Sequence, residues 1–245
     1  MECSARDICT GLVDLIFPPR CTACGKSLGE RQCTPFCEEC TADFRYLSSP
    51  LCPVCGMPYA DQTGTDHPCE MCLLSPPPFA AARSVGAYQG VLQEVIHRYK
   101  YGHDITIGET LGEIMADYPY PFFDIRDYSA VMPVPLHVRR LRERGFNQSL
   151  ILARQIARRH KLKLDYLSLK RVIPTPPQIH LGRHDREQNV RGAFEVTKPP
   201  RVEGQKIIVV DDVYTTGSTA RECARALNRS GAAAVAILTL SRALS

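Results

Sequence analysis

No apolar run in this 245-residue chain is long enough to span a bilayer, so insertion into a membrane is not expected. The only stretch resembling a leader, Leu12-Val13-Asp14-Leu15-Ile16-Phe17, is split by Asp14, follows Glu2 and Asp7, and lacks a basic start. Ile8, Leu12, Leu15 and Ile16 instead fall at helical spacing and predict a short amphipathic helix that docks on the protein. The expected location is cytoplasmic. Glycine and proline, at 16 and 19 residues, are too scarce for a disordered polymer. Three recognition patterns are also missing: the Walker Gly-x-x-x-x-Gly-Lys-Ser/Thr loop, the dinucleotide fingerprint Gly-x-Gly-x-x-Gly, and the C2H2 finger spacing. With 44% hydrophobic residues, the length suffices for one large domain and a small one.

Cysteine is abundant and confined. Eleven of twelve lie in the first 72 residues, as the pairs Cys21/Cys24, Cys37/Cys40, Cys52/Cys55 and Cys69/Cys72 with Cys3, Cys9 and Cys33. Gly25 and Gly56 directly follow two of the pairs, as in a knuckle that aims thiolates and backbone N–H groups at one metal. Without a secretory signal, two structural Zn2+ sites are expected rather than disulfides. Consecutive pairing is favoured over cross-bracing, with Cys33 an alternative ligand and Cys3, Cys9 and Cys223 spare thiols. Residues 1–80 hold five Lys/Arg against ten Asp/Glu, a net charge of −5, which suits a structural or protein-contact role better than DNA binding. Residues 139–171 carry eleven Lys/Arg against two acids, a net +9. That excess points to a polyanionic ligand or partner; for Arg154, Arg158, Arg159, Lys161 and Lys163 a solvated helix face is the alternative.

Pro76-Pro77-Pro78 marks a boundary, giving a cysteine-rich module over 1–78 and a second domain over 79–245. Ser84 to Tyr88 reads as a strand. Val91, Leu92, Val95, Ile96 and Tyr99 form one face of a helix, and a further helix is expected over 106–115. Residues 130–135 predict a strand, and Phe146, Leu150, Ala153 and Ala157 the face of a helix. The run 206–210 predicts a buried strand, Ala220, Cys223, Ala224 and Leu227 a helix stopped by Gly231, and 235–240 a last strand. This alternation predicts an α/β fold with a mostly parallel sheet.

Between the last two strands stands Val209-Val210-Asp211-Asp212-Val213-Tyr214-Thr215-Thr216-Gly217-Ser218-Thr219. A strand that ends in small hydroxylated residues and glycine before a helix makes a phosphate cradle, with N–H groups converging at a positive helix end. Asp211 and Asp212 would repel phosphate, so their presence calls for sugar hydroxyls or Mg2+ on the same ligand. A phosphorylated ribose has both. A simple helix cap would need neither the two acids nor so many donors.

This segment resembles the signature of type I phosphoribosyltransferases, and the whole chain resembles the ComF family (the ComFC-like and GntX-like proteins). The likeness rests also on Phe17-Pro18-Pro19-Arg20-Cys21, Pro133-Val134-Pro135, Arg144-Gly145-Phe146-Asn147-Gln148, and the Thr175…Gln178…Arg186…Asn189…Gly192-Ala193-Phe194 stretch. The resemblance implies a double zinc ribbon ahead of a phosphoribosyltransferase-like domain that takes phosphoribosyl pyrophosphate (PRPP). It implies that Asp211 and Asp212 hold the ribose hydroxyls, directly or through Mg2+, and that Val213, Tyr214, Thr215, Thr216, Gly217, Ser218 and Thr219 form the 5′-phosphate loop. Arg139, Arg140 and Arg144 would meet pyrophosphate, and residues 171–189 would cover the ligand. Tyr214 stands where many type I enzymes have an aliphatic residue. Lys100 is either a neighbour of the site or a surface lysine. Two functions follow: phosphoribosyl transfer to an unidentified nitrogen acceptor, or a non-catalytic factor holding single-stranded DNA and working with competence proteins. The basic run holds only Phe146 and Tyr166 as aromatics, few for a single-strand binder.

Overall fold

The computed structural model describes residues 18–28, 35–61, 63–102, 104–174 and 190–244. The helix expected around Ile8 to Ile16, Cys3, Cys9, Cys33, and Thr175, Gln178, Arg186 and Asn189 lie outside the described residues.

A five-stranded parallel sheet forms the centre, in the order β1 (Ala81–Ala87), β7 (Ala234–Arg242), β6 (Lys206–Tyr214), β2 (Ala130–Pro133), β3 (Lys163–Leu164). Ile207 and Val209 on β6 face one layer and Ile208 and Val210 the other, so a continuous apolar run satisfies two cores. One face is covered by α3 (Gly90–Tyr101), α4 (Ile105–Asp117) and α6 (Gln148–His160). The opposite face carries α7 (Ser218–Arg229) and the antiparallel pair β4 (Leu169–Arg171) with β5 (Phe194–Val196). Most expected elements are present, with two corrections. On α6 the buried stripe is Ile151, Leu152, Ala153, Ile156 and Ala157; Leu150 is half-buried and Phe146 precedes the helix, whose cap is Asn147. Strand β6 does not stop at Val210: its pairing with β7 continues to Tyr214 opposite Arg242, so both aspartates sit on the strand.

The cysteine-rich module repeats one design twice. Cys21-to-Gly25 and Cys52-to-Gly56 are knuckles closed by Gly25 N–H to Cys21 O (2.9 Å) and Gly56 N–H to Cys52 O (2.8 Å), both glycines lying at positive φ. Each knuckle is joined by a short helix, α1 (Glu38–Ala42) or α2 (Glu70–Leu74), that begins after Cys37 or Cys69 and carries Cys40 or Cys72. Both halves dress the edge strand β1. Leu47 N donates to Val85 O and Ala87 N to Arg45 O, both at 2.9 Å, and Ala82 N donates to Val54 O at 2.8 Å. The exposed edge of a sheet is thereby paired within the chain. The buried Arg83 strengthens this seam, donating to the carbonyls of Pro53 (2.9 Å), Ala82 (2.8 Å) and Pro121 (2.7 Å). Asp43 Oδ2 accepts from Val91 N at 2.7 Å, so the first knuckle unit also supplies a cap for α3.

Helices α3 and α4 pack through Gly108, where a Cβ would lie 2.3 Å from the Tyr99 ring. That ring cannot retreat, being fully buried with its hydroxyl donating to Gln148 O at 2.8 Å. Gly108→Ala gains up to about 1 kcal/mol of helix propensity but overpacks at a cost of about 1–3 kcal/mol. Thermal denaturation is expected to show a lower midpoint, and a raised midpoint would contradict this packing.

Candidate functional site

A cavity of about 910 Å3 opens at the carboxyl ends of β2 and β6, where ligands of parallel sheets bind. Five cations (Lys100, Arg139, Arg140, Arg144, Arg171) and three carboxylates (Glu143, Asp211, Asp212) line it. The cavity is therefore suited to an anion that also has something to offer a carboxylate.

The aspartates are held from the two helices behind β6. Ser149 on α6 donates its hydroxyl to Asp211 Oδ1 at 2.9 Å, and Asp212 N donates to the same oxygen at 3.0 Å. Lys100 Nζ from α3 lies 3.0 Å from Asp212 Oδ2, with the two side chains only 18% and 12% exposed. Lys100 is therefore no surface lysine. Burial works against its charge, but the attraction of Asp212 and their hydrogen bond prevail and hold its pKa above the ordinary value. Asp211 is pushed up to about 7, first by burial and then by the neighbouring Asp212. Sequence reasoning missed Ser149 altogether, because a serine in the first turn of a helix reads as ordinary helix-start chemistry.

Beyond Tyr214 the chain turns through residues 215–217 into α7. Gly217 lies at φ +78°, and a Cβ there would meet Tyr214 Oη at 2.2 Å, so neither the conformation nor the space admits a side chain. Val213, Tyr214, Thr215, Gly217, Ser218 and Thr219 all line the cavity. Thr216 does not: its hydroxyl is 2.7 Å from Ser218 Oγ and accepts from Ser218 N at 3.4 Å, bracing the turn from behind.

The arginines expected in a loop after Pro135 stand on a short helix, α5 (Val138–Arg144). His137 caps it, accepting from Arg139 N at 3.3 Å, and Gly145 ends it in the left-handed conformation. Arg139, Arg140 and Arg144 all reach the cavity wall. Arg139 is 3.2 Å from Glu143 and largely exposed, whereas Arg140 is more sheltered and 3.9 Å from the same carboxylate. Arg144 donates to Gln148 Oε1 at 3.2 Å and lies over the Tyr101 ring at 5.7 Å. Arg158 and Arg159, at the far end of α6, instead pair with Glu113 (3.4 Å) and Asp117 (2.6 Å) on α4. That part of the basic run is a helix face answered by its neighbour.

The cysteines gather into two tetrads, Cys21/Cys24/Cys37/Cys40 and Cys52/Cys55/Cys69/Cys72, with all four sulfurs of each within 4.8 Å of one another. This is the consecutive pairing. The Cys24–Cys37 and Cys55–Cys69 sulfurs are 3.7 Å apart. Zn–S bonds of about 2.3 Å in a tetrahedron require sulfur separations of about 3.8 Å, whereas a disulfide needs about 2.05 Å. Backbone N–H groups also point at the sulfurs, from Cys37 to Cys21 Sγ (3.3 Å) and from Cys55 (3.4 Å) and Cys69 (3.3 Å) to Cys52 Sγ. Burial opposes ionisation of Cys21 and Cys52, yet backbone N–H groups, foremost those of Cys24 and Cys37 at Cys21 and of Cys55 and Cys69 at Cys52, bring them down to about 6 and about 7. Donor set, separations and N–H groups all fit Zn2+. Cys223 is fully buried on α7, apart from both tetrads.

Residues 12–73 match the double zinc ribbon domain and residues 147–245 the phosphoribosyl transferase domain. The DNA utilization protein YhgH of Salmonella typhimurium is 35% identical over 213 residues, covering 85% of this chain and 90% of that protein. Competence protein F of Haemophilus influenzae is 28% identical over 227 residues, covering 84% and 96%. Competence protein ComFC of Bacillus subtilis is 29% identical over 216 residues, covering 84% and 83%. Metal analysis of the purified chain is expected to find two zinc ions per molecule, and fewer than one would contradict the paired tetrads. With a double zinc ribbon, a phosphoribosyltransferase-like domain and relatives aligned over most of their length, the chain belongs to the ComF family.

Proposed function

We propose that this chain binds PRPP with Mg2+ and transfers its ribose 5-phosphate to a nitrogen nucleophile, within a process that handles DNA. One observation carries the reading: two adjacent carboxylates and the N-terminus of a twelve-residue helix share a cavity with five cations. PRPP has a matching order of groups, a 5′-phosphate, two ribose hydroxyls and a pyrophosphate. In this reading residues 79–245 form the ligand domain and residues 1–78 the zinc module, in a cytoplasmic protein. Turn residues 215–219 would take the 5′-phosphate through backbone N–H groups and the hydroxyls of Thr215, Ser218 and Thr219, Thr216 bracing the turn behind them. Asp211 and Asp212 would accept from the ribose hydroxyls, Lys100 yielding Asp212 as the sugar arrives. Mg2+ would neutralise the pyrophosphate and lie toward the same carboxylates.

Reaction would form a bond from the acceptor nitrogen to C1 of the ribose while the bond from C1 to the pyrophosphate oxygen breaks. The electron pair leaves with pyrophosphate. Arg139, Arg140 and Arg144 are the cations that would receive this growing charge, the kind of contact whose removal costs about 10²–10³ in rate. The names of the relatives, which concern DNA utilization and competence, support the DNA setting. The competing idea of a DNA-holding face on Arg158 and Arg159 is weakened by their pairing with Glu113 and Asp117.

Saturating PRPP with Mg2+ is expected to raise the melting temperature, and Asp212→Asn to abolish the rise. No shift in the unaltered chain would overturn the reading. Proton linkage supplies a second check. With its pKa raised to about 7, Asp211 is largely protonated at pH 6 and must ionise to serve sugar hydroxyls or a cation. Binding should therefore strengthen as pH rises from 6 to 8 and release a proton at pH 6. Calorimetry in buffers of different ionisation enthalpy measures that release. Binding that weakens over this range, or takes up a proton, would contradict the role given to Asp211.

A further inference from the structure

The turn at residues 215–217 is suspended between two arginines, one ending on Cys55 of the second cysteine tetrad and the other on Ser75, at the end of the helix that carries Cys72. The first strut runs from β7. Arg242, 4% exposed, donates from Nη1 to Cys55 O at 2.7 Å, while its Nη2 lies 3.8 Å from Cys55 Sγ. The same guanidinium sits 4.3 Å from the Tyr214 ring centroid. Tyr214 in turn covers Gly217, as the 2.2 Å approach of its hydroxyl to a Cβ there records. From the metal ligand Cys55 to the phosphate turn, the contacts are therefore continuous.

The second strut grips the other side of the turn. Arg221, in the first turn of α7, donates through Nη2 to Ser75 O at 3.1 Å, and its N–H bonds Gly217 O at 2.8 Å. Ser75 caps α2, the helix that carries Cys72, with its N–H on Met71 O at 3.0 Å. The first tetrad has no such grip on the turn among the described residues. Its knuckle carbonyls Thr22 and Ala23 are held by the exposed Arg98 of α3.

We propose that metal in the second tetrad sets the position of the phosphate turn, with Arg242, Tyr214 and Arg221 as positioning residues. A bound metal fixes Cys55 directly and Ser75 through α2. The arginines carry that placement to the two ends of the turn. A guanidinium suits this task because it bonds a carbonyl, faces a thiolate and covers a ring at once. Losing metal from the second tetrad then loosens the ligand site, while losing it from the first leaves the turn in place. The inference rests on the reading of residues 215–219 as a phosphate site, but the coupling itself is measurable without ligand.

The test is hydrogen exchange, followed by mass spectrometry, on the full zinc-loaded chain. Arg242→Met is expected to speed exchange across residues 213–219 at least tenfold, with zinc content unchanged at two and exchange over 130–134 unaltered. Arg242→Lys keeps one donor and the charge and should fall between. Arg221→Ala, a change at a half-buried side chain, should loosen residues 217–221 even where Arg242→Met fails to fold. Cys72→Ser should reproduce the effect and Cys24→Ser should not. Unchanged exchange in Arg242→Lys and Arg221→Ala, or equal loosening from Cys24→Ser, would overturn the proposal. PRPP–Mg2+ titrated into the same proteins should bind at least tenfold more weakly to Arg221→Ala than to the unaltered chain. If exchange responds as stated but the unaltered chain binds no PRPP, the coupling stands and the phosphate reading fails.

Discussion

Two adjacent carboxylates at the end of a central strand are the constraint around which this fold is arranged. Taking such groups out of water costs several kcal/mol each unless partners answer them. The answers come from far along the chain, Lys100 from α3 and Ser149 from α6. For both to reach the strand end, α3 and α6 must cover the same face of the sheet. The packing of α3 on α4 through Gly108 and Tyr99, and the bond from Tyr99 to Gln148, give them that arrangement. In the free protein both carboxylates are answered but exchangeable: Asp212 by the Lys100 cation, and Asp211 by burial and its neighbour, which push its pKa up to about 7. A site prepared in this way can accept a polar ligand by substitution of partners instead of by burial of new charge.

The zinc ribbons belong to the same architecture. They cover the edge of β1 and cap α3, and through Arg83 and Arg242 they bond carbonyls of the second knuckle to the sheet. A strongly acidic module is thereby attached to a basic cavity without closing it. The attachment uses buried guanidinium groups, whose loss would leave several carbonyls without donors.

Features set by local chemistry were legible in the sequence. The knuckles follow from Cys-x-x-Cys with glycine, the strands from short apolar runs, and the turn from its hydroxyl-rich stretch before a helix. Features set by distant partners were not. Nothing local marks Arg83 or Arg242 as buried, since each stands in a strand beside a small polar residue and reads equally well as a strand end at the surface. Strand β6 runs past its apolar stretch because β7 beside it is equally long, a property of the pair. Only part of the α6 face is legible: Ala153 and Ala157 are buried as expected, but Ile151, Leu152 and Ile156 escape notice because Gln148, Ser149 and Gln155 are buried polar residues, which blur a hydrophobic stripe. The basic segment divides into cavity arginines and α4-paired arginines only once α4 and α6 are side by side.

The central claim is that the cavity is shaped for a phosphorylated ribose and is not merely a cluster of cations. Calorimetric titration of the zinc-loaded chain with PRPP, pyrophosphate and ribose 5-phosphate, each with Mg2+, tests it directly. One PRPP per chain is expected, bound at least tenfold more tightly than either fragment, because only PRPP would engage turn, carboxylates and arginines together. Pyrophosphate binding as tightly as PRPP would contradict it.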